Sequence, residues 1–363
     1  MILKTAEFTK VLKYIKNCLP SSSLVPILNH ICFKDDKIFT FNGVESIIID
    51  YETGLNCAIP GKVLCDFIET INKDELDITQ TDANVKIKVG KAVAKLEMLP
   101  GDKFIYKLPE TVPIKQLTIN NDFINGFKKC LISITFDNTK INQYGITLQN
   151  NCLYSTDNKR VSKYKLQENL ELGEGFKILF PRGFCETFTK IITGSACIMS
   201  FSNNHTSIQS QIKLGEETTE AGNVIKLRNI ELHTEMFAEV NFLDYEQFTN
   251  IMIDTKDFYL SNDFKESVNN CNLFLAGLPE KFVEFNITDT IEISVIGRFG
   301  NYNDKLDIVA TKNVGNFKVE IDLLKQLLNN TTFISFIKME NKVVIAGKEG
   351  DYLHLLGSVY IRE

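Results

Sequence analysis

Tryptophan is absent from this 363-residue chain and histidine is scarce, with four copies at His30, His205, His233 and His354. None of them is spaced as His-x-x-x-His, so no metal site is expected. Phosphate-cradling loops are missing too, both Gly-x-x-x-x-Gly-Lys-Ser/Thr and Gly-x-Gly-x-x-Gly after a strand. No Gly-x-Ser-x-Gly elbow marks a nucleophile. These absences shift weight from catalysis toward binding or architecture, and no cofactor and no catalytic residue is expected. Apolar runs such as 47–49 and 197–199 fall far short of the roughly 20 residues that span a bilayer. The first 16 residues interleave Lys4, Glu7, Lys10, Lys13 and Lys16 with apolar residues, unlike a signal peptide, so a cytoplasmic location is expected. Net charge is -6, which excludes a protein that coats DNA through bulk positive potential but leaves room for a local basic surface. Nine cysteines, at 18, 32, 57, 65, 130, 152, 185, 197 and 271, include no Cys-x-x-Cys pair and read as reduced, buried thiols.

What is present is the composition of a soluble globular protein, 44% hydrophobic and 24% charged, long enough for two or three domains. A weak internal repeat organises it. Three helices are predicted to open the units, at 6–19, 122–134 and 263–275. The first groups Phe8, Val11, Leu12, Ile15 and Leu19 on one stripe; the second groups Phe123, Phe127, Cys130 and Leu131; the third groups Phe264, Val268, Cys271 and Leu275. In the second half of each unit a strand end runs into a short amphipathic helix: 58–71, 179–192 and 319–328. Pro60 and Pro181 suit a first helical turn, where no backbone donor is needed. Alternating strands follow at 76–79, 85–89 and 93–98, then at 198–201 and 206–212, then at 333–339, 342–346 and 352–360, the pattern of half-buried antiparallel sheets. The expected architecture is α+β in three tandem domains, 1–115, 116–248 and 249–363, with seams near 113–116 and 245–254. The carboxylates Asp66, Glu69, Asp74, Glu75 and Asp77 read as a solvated face, and Gly297-Arg298-Phe299-Gly300 as a β-turn.

Several stretches carry a family resemblance. Val25-Pro26-Ile27-Leu28-Asn29, Ser155-Thr156-Asp157-Asn158-Lys159-Arg160-Val161 and Phe180-Pro181-Arg182-Gly183, with Asp244-Tyr245 and the ending Val359-Tyr360-Ile361-Arg362, resemble in order and spacing the bacterial sliding clamps, the β subunits of DNA polymerase III. The sequence departs from that family at Asn158, where the family has glycine, at Lys159 for histidine, at Tyr360 for proline, and at 41–45, where a Thr-Asp pair is usual. The divergence, with frequent Ile, Asn and Lys, suggests a phage-encoded clamp or one from an AT-rich bacterium.

The resemblance implies a non-enzymatic DNA polymerase processivity factor: a head-to-tail homodimer of three-domain chains, closed as a ring with helices lining the hole. Duplex DNA would be held topologically and without base readout, and the implied DNA-contacting candidates are Lys10, Lys13, Lys62, Lys73, Lys129, Lys140, Arg182, Lys190 and Lys325. It also implies a groove that docks short peptides of the replicative polymerase, the clamp loader and other proteins bearing a clamp-binding motif. Thr156, Asn158, Arg160 and Val161 would form one wall, and Val359, Tyr360, Ile361 and Arg362 the other. Two other readings stay open: a clamp-fold regulatory module that does not encircle DNA, and an oligomeric enzyme of repeated α+β domains.

Overall fold

The structure, a computed structural model, describes all residues except 21–22, 107–112, 193–196, 203, 220–221, 238, 251–261, 307–312, 341 and 361–363. Seven α-helices run through the described residues: α1 Thr5–Ile15, α2 Gly61–Glu69, α3 Asn121–Cys130, α4 Arg182–Ile191, α5 Tyr245–Thr249, α6 Asn262–Phe274 and α7 Ile321–Asn330. The predicted opening helices are α1, α3 and α6. The first two end early because their last turns tighten into 3-10 helices, Lys16–Cys18 and Leu131–Ser133. The three strand-into-helix junctions are also present: Cys57–Pro60 runs into α2, Lys177–Pro181 into α4 and Gly315–Glu320 into α7.

The chain divides into two compact units. One comprises residues 1–124 and 183–238 and holds two antiparallel sheets. Its four-stranded sheet orders Ile2–Lys4, Glu75–Gln80, Asn84–Val89 and Ala92–Glu97. Its nine-stranded sheet orders Lys115–Ile119, Cys197–Phe201, His205–Thr219, Gly222–Glu235, Glu45–Asp50, Lys37–Phe41, His30–Lys34, Cys57–Pro60 and Leu99–Pro100. The join between segments far apart in sequence is the pairing of Ile230 to Thr234 with Ile49 to Glu45. The predicted stripe of α1 is buried at Phe8, Val11, Leu12 and Ile15. Leu19 packs instead over the start of α2, so closely that a Cβ on Gly61 would meet its methyls at 2.7 Å and push the leucine aside.

The other unit comprises residues 125–182 and 239–363. Its seven-stranded sheet orders Lys177–Pro181, Gly145–Gln149, Cys152–Thr156, Arg160–Lys165, Tyr352–Gly357, Val343–Glu349 and Phe333–Lys338. Its five-stranded sheet orders Gly300–Leu306, Ile291–Gly297, Phe282–Ile287, Gly315–Glu320 and Val359–Tyr360. Phe264, Val268, Cys271 and Leu275 of the α6 segment are all buried as predicted, against Phe285, Phe317 and Phe336. Phe285 stacks on Phe264 at 6.1 Å and on Phe317 at 5.3 Å between centroids. Burying each such ring contributes roughly 1.5–3 kcal/mol, which makes this aromatic cluster the anchor of its segment. The predicted turn at Arg298-Phe299 joins the hairpin whose last pair is Gly297 with Gly300.

All nine cysteines are buried free thiols, as predicted. Burial drives up the thiol pKa values of Cys18, Cys32, Cys57, Cys65, Cys130, Cys152, Cys197 and Cys271, to about 12 for Cys32, Cys57, Cys197 and Cys271, which makes these eight unreactive packing residues.

Candidate binding site

The segment 156–161 is built for display. Asp157 Oδ1 accepts the backbone N–H groups of Lys159 at 3.1 Å and Arg160 at 2.8 Å, closing a turn from within. Thr156 Oγ1 donates to the Arg160 carbonyl at 2.6 Å. Asn158 sits at φ +72°, in the left-handed region that asparagine tolerates better than most residues. This is why it can stand where the resemblance has glycine. Its Oδ1 accepts from Gln143 Nε2 at 2.7 Å. Gly357 N–H donates to the Lys159 carbonyl at 2.9 Å, tying the turn to the end of the strand Tyr352–Gly357.

Beside this turn lies a cavity of about 230 Å³, and Thr156, Asn158, Arg160 and Val161 are among its lining residues. Among the described residues, other stretches complete the lining. Met339, Lys342, Val344 and Leu355 supply one side, and Leu243, Gln247 and Phe248 another. Helix α5 presents the last two because Tyr245 is its anchor: only 1% exposed, it stacks on Tyr154 at 4.8 Å and leaves Phe248 half exposed. Val359 is not part of the lining. With Tyr360 it forms a short strand paired to Lys318 and Phe317 at the edge of the five-stranded sheet. Ile361 and Arg362 lie outside the described residues.

Arg160 is buried and its charge is answered locally. Nε and Nη2 donate to Asp157 Oδ2 at 3.0 and 2.6 Å, and Nη1 donates to Gln326 Oε1. The guanidinium therefore fixes the wall more than it offers charge to a guest. Beneath it, Ser162 Oγ lies 2.8 Å from Ser133 Oγ and 3.3 Å from His354 Nδ1, and Tyr352 Oη lies 2.8 Å from the same nitrogen. Burial, and secondarily Arg160, lowers the His354 pKa to about 3, so the ring is neutral within this network.

The basic candidates divide into two groups. Lys10, Lys13, Lys62, Lys73, Lys190 and Lys325 have no carboxylate within 4.0 Å among the described residues, and Lys13, Lys62, Lys73 and Lys190 are exposed. The other three are engaged. Lys129 donates to the Asn330 carbonyl at 3.0 Å and pairs with Glu349, and it lies over the Tyr352 ring. Arg182 Nη1 donates to the carbonyls of Ile134 and Thr135 at 3.0 and 3.2 Å, and its guanidinium covers the Phe136 ring at 3.5 Å. Lys140 pairs with Asp137 at 3.5 Å. Lys129 and Arg182 thus bind their own chain, and their placement corrects the expectation that they offer free charge.

Within the acidic cluster, Lys16 bridges Asp66 at 3.5 Å and Glu69 at 3.3 Å, all three side chains well exposed. That is a solvated ion-pair face. Among the described residues no group of His, Cys, Asp and Glu could hold a metal, and no helix is long and apolar enough to cross a membrane.

No protein-family model and no curated protein matches the sequence. Solved structures of bacterial clamps do match the fold. The C. crescentus β sliding clamp is 14% identical with a TM-score of 0.80 over 99% of this chain and 98% of that one. The DNA polymerase β subunit of Streptococcus pyogenes is 16% identical with a TM-score of 0.79 over 99% of both chains. The Helicobacter pylori β clamp, crystallised with a DNA ligase peptide, is 18% identical with a TM-score of 0.77 over 99% of both. A likeness this complete at so low an identity is one of backbone architecture, and the chain has the α+β fold of the bacterial DNA polymerase III β sliding clamps.

Proposed function

We propose that this chain is a DNA polymerase processivity factor without catalytic activity: a clamp that encircles duplex DNA as a head-to-tail homodimer and tethers replication proteins through the groove beside residues 156–161. The observation that carries this reading is the end-to-end fold match, together with an apolar groove beside the turn at 156–161. The DNA ligase peptide bound to the Helicobacter pylori clamp supports a peptide as the occupant. Short peptides suit such a groove because apolar anchors supply affinity while polar groups on the rim fix register. The replicative polymerase, the clamp loader and other proteins with a clamp-binding motif are its partners, in the cytoplasm.

Three tandem domains, 1–115, 116–248 and 249–363, account for the recurring order of helix, strands, strand-into-helix and strands. Self-association is supported by open sheet edges at Ala92–Glu97 and Gly300–Leu306. Apolar side chains left in water point the same way: Leu273 is 71% exposed, Ile296 74% and Phe299 90%. Two different surfaces that meet head to tail close into a ring when the rotation permits. DNA is served by the lysines with no carboxylate within 4.0 Å among the described residues, Lys10, Lys13, Lys62, Lys73, Lys190 and Lys325, in weak contacts that allow sliding.

Loading onto circular and linear DNA tests the reading. A ring loaded by its clamp loader stays on nicked circular plasmid through gel filtration and is lost when the plasmid is cut. Equal loss from both forms would refute encirclement.

A further inference from the structure

The groove carries a charge asymmetry. Among the described residues its charged lining is Lys159, Arg160 and Lys342, with no Asp or Glu. Arg160 is neutralised by Asp157, and Lys159 donates to Glu320 at 2.7 Å. Lys342 has no carboxylate within 4.0 Å among the described residues and is exposed. It is positioned, nonetheless: its carbonyl accepts the N–H of Met339 at 2.9 Å, and it stands two residues before Val344, so period-two alternation turns both toward the groove. The site therefore presents an apolar floor, two answered cations and one unanswered cation at its edge.

We infer that the groove selects peptides carrying a carboxylate next to the apolar anchor, and that Lys342 is the residue that reads it. This rests on the peptide-docking reading above. Charge complementarity of this kind contributes modestly to affinity and more to the choice of partner, because a like charge in the same place is repelled.

The test uses the full-length protein and fluorescein-labelled eight-residue peptides with a central Leu-Phe pair, in which Glu, Gln or Lys is scanned through the flanking positions. Binding is followed by fluorescence anisotropy. An exposed ion pair predicts that, at one flanking position or more, Glu binds about two- to fivefold tighter than Gln and Lys binds weaker. The preference collapses at about 0.5 M salt, where screening acts over a few ångströms. Lys342→Met abolishes it and Lys342→Glu reverses it at the same position. Both variants change an exposed side chain beside a turn, so thermal melting is expected to be unaltered. Equal binding of Glu and Gln peptides at every position, or a Glu preference that survives Lys342→Met, would overturn the inference. Phe248→Asp separates the two levels. If it abolishes binding of the whole panel while the charge preference is flat, the groove reading stands and the role of Lys342 falls. If no peptide binds the unsubstituted protein, or Phe248→Asp leaves binding intact, the groove reading falls and the inference with it.

Discussion

Glu45 should make this protein lose stability as pH rises through neutrality. It lies on the strand Glu45–Asp50, is only 5% exposed, and points at the first turn of α4. There its Oε2 accepts from Thr187 Oγ1 at 3.3 Å, and Oε1 fills the space beside Gly183, where a Cβ would come within 2.2 Å. Burial raises the carboxyl pKa from 4.5 to about 7, outweighing the hydrogen bond from Thr187 that lowers it. Between pH 4.5 and 7 the folded chain therefore holds a proton that the unfolded chain has released, and stability falls as pH rises across that window. At about 1.4 kcal/mol per pH unit the full loss is about 3 kcal/mol, and above pH 7 no more is lost. Glu45→Gln keeps the acceptor and the shape but cannot ionise. With tryptophan absent, far-UV circular dichroism in urea at pH 5, 6, 7 and 8 is the appropriate probe. The variant should gain on the parent by about 2.5 kcal/mol between pH 5 and 8, most of it between pH 5 and 7. The parent's own curve also contains His205, whose burial lowers its pKa to about 4 and whose effect has the opposite sign; it is common to both proteins and cancels in the difference. A stability difference that does not vary with pH would refute the argument.

Four further outcomes are expected. Phe248→Asp with Met339→Asp, at side chains 50% and 42% exposed, should weaken peptide docking about tenfold or more with the fold unchanged, as measured by anisotropy and thermal melting. Reversing Lys10, Lys13, Lys62 and Lys190 to Glu should reduce retention on DNA and flatten its dependence on salt in a filter-binding titration. Ile296→Asp with Phe299→Asp should convert a particle of about twice 41.2 kDa into single chains by light scattering. His205 lies 3.1 Å from His233 in a buried pair; its lowered pKa means that stability is lost as pH falls from 6.5 toward 4, and His205→Asn should remove up to about 3 kcal/mol of that acid sensitivity in urea titrations at pH 4 to 7.

Helix faces were legible because their cause is local: a 3.6-residue period places Phe264, Val268, Cys271 and Leu275 on one side, and all four are buried. Long strands were read less well. The strand His205–Thr219 extends beyond 206–212 because its register shifts between Lys213 and Gly215, which breaks the alternation that marks a strand in sequence. Its partner Gly222–Glu235 alternates Ile230 and Leu232 inward and could have been found from that pattern. The residues that close the turn at 156–161 are consecutive in sequence, whereas their place beside a groove was implied by the resemblance alone. The other lining residues were not legible. Met339, Lys342, Val344 and Leu355 reach the groove only because Tyr352–Gly357 pairs with Arg160–Lys165, across nearly two hundred residues. Charge was the least legible property of all: in sequence Lys129, Arg182 and Lys342 are equivalent cations, but Glu349 and two backbone carbonyls engage the first two and leave the third unanswered. Short-range periodicity and turn chemistry determine the elements, their inward faces and the repeat. Which distant strands pair, and hence which side chains share a groove and which charges are already spent, is set by long-range contacts that no local stretch of sequence encodes.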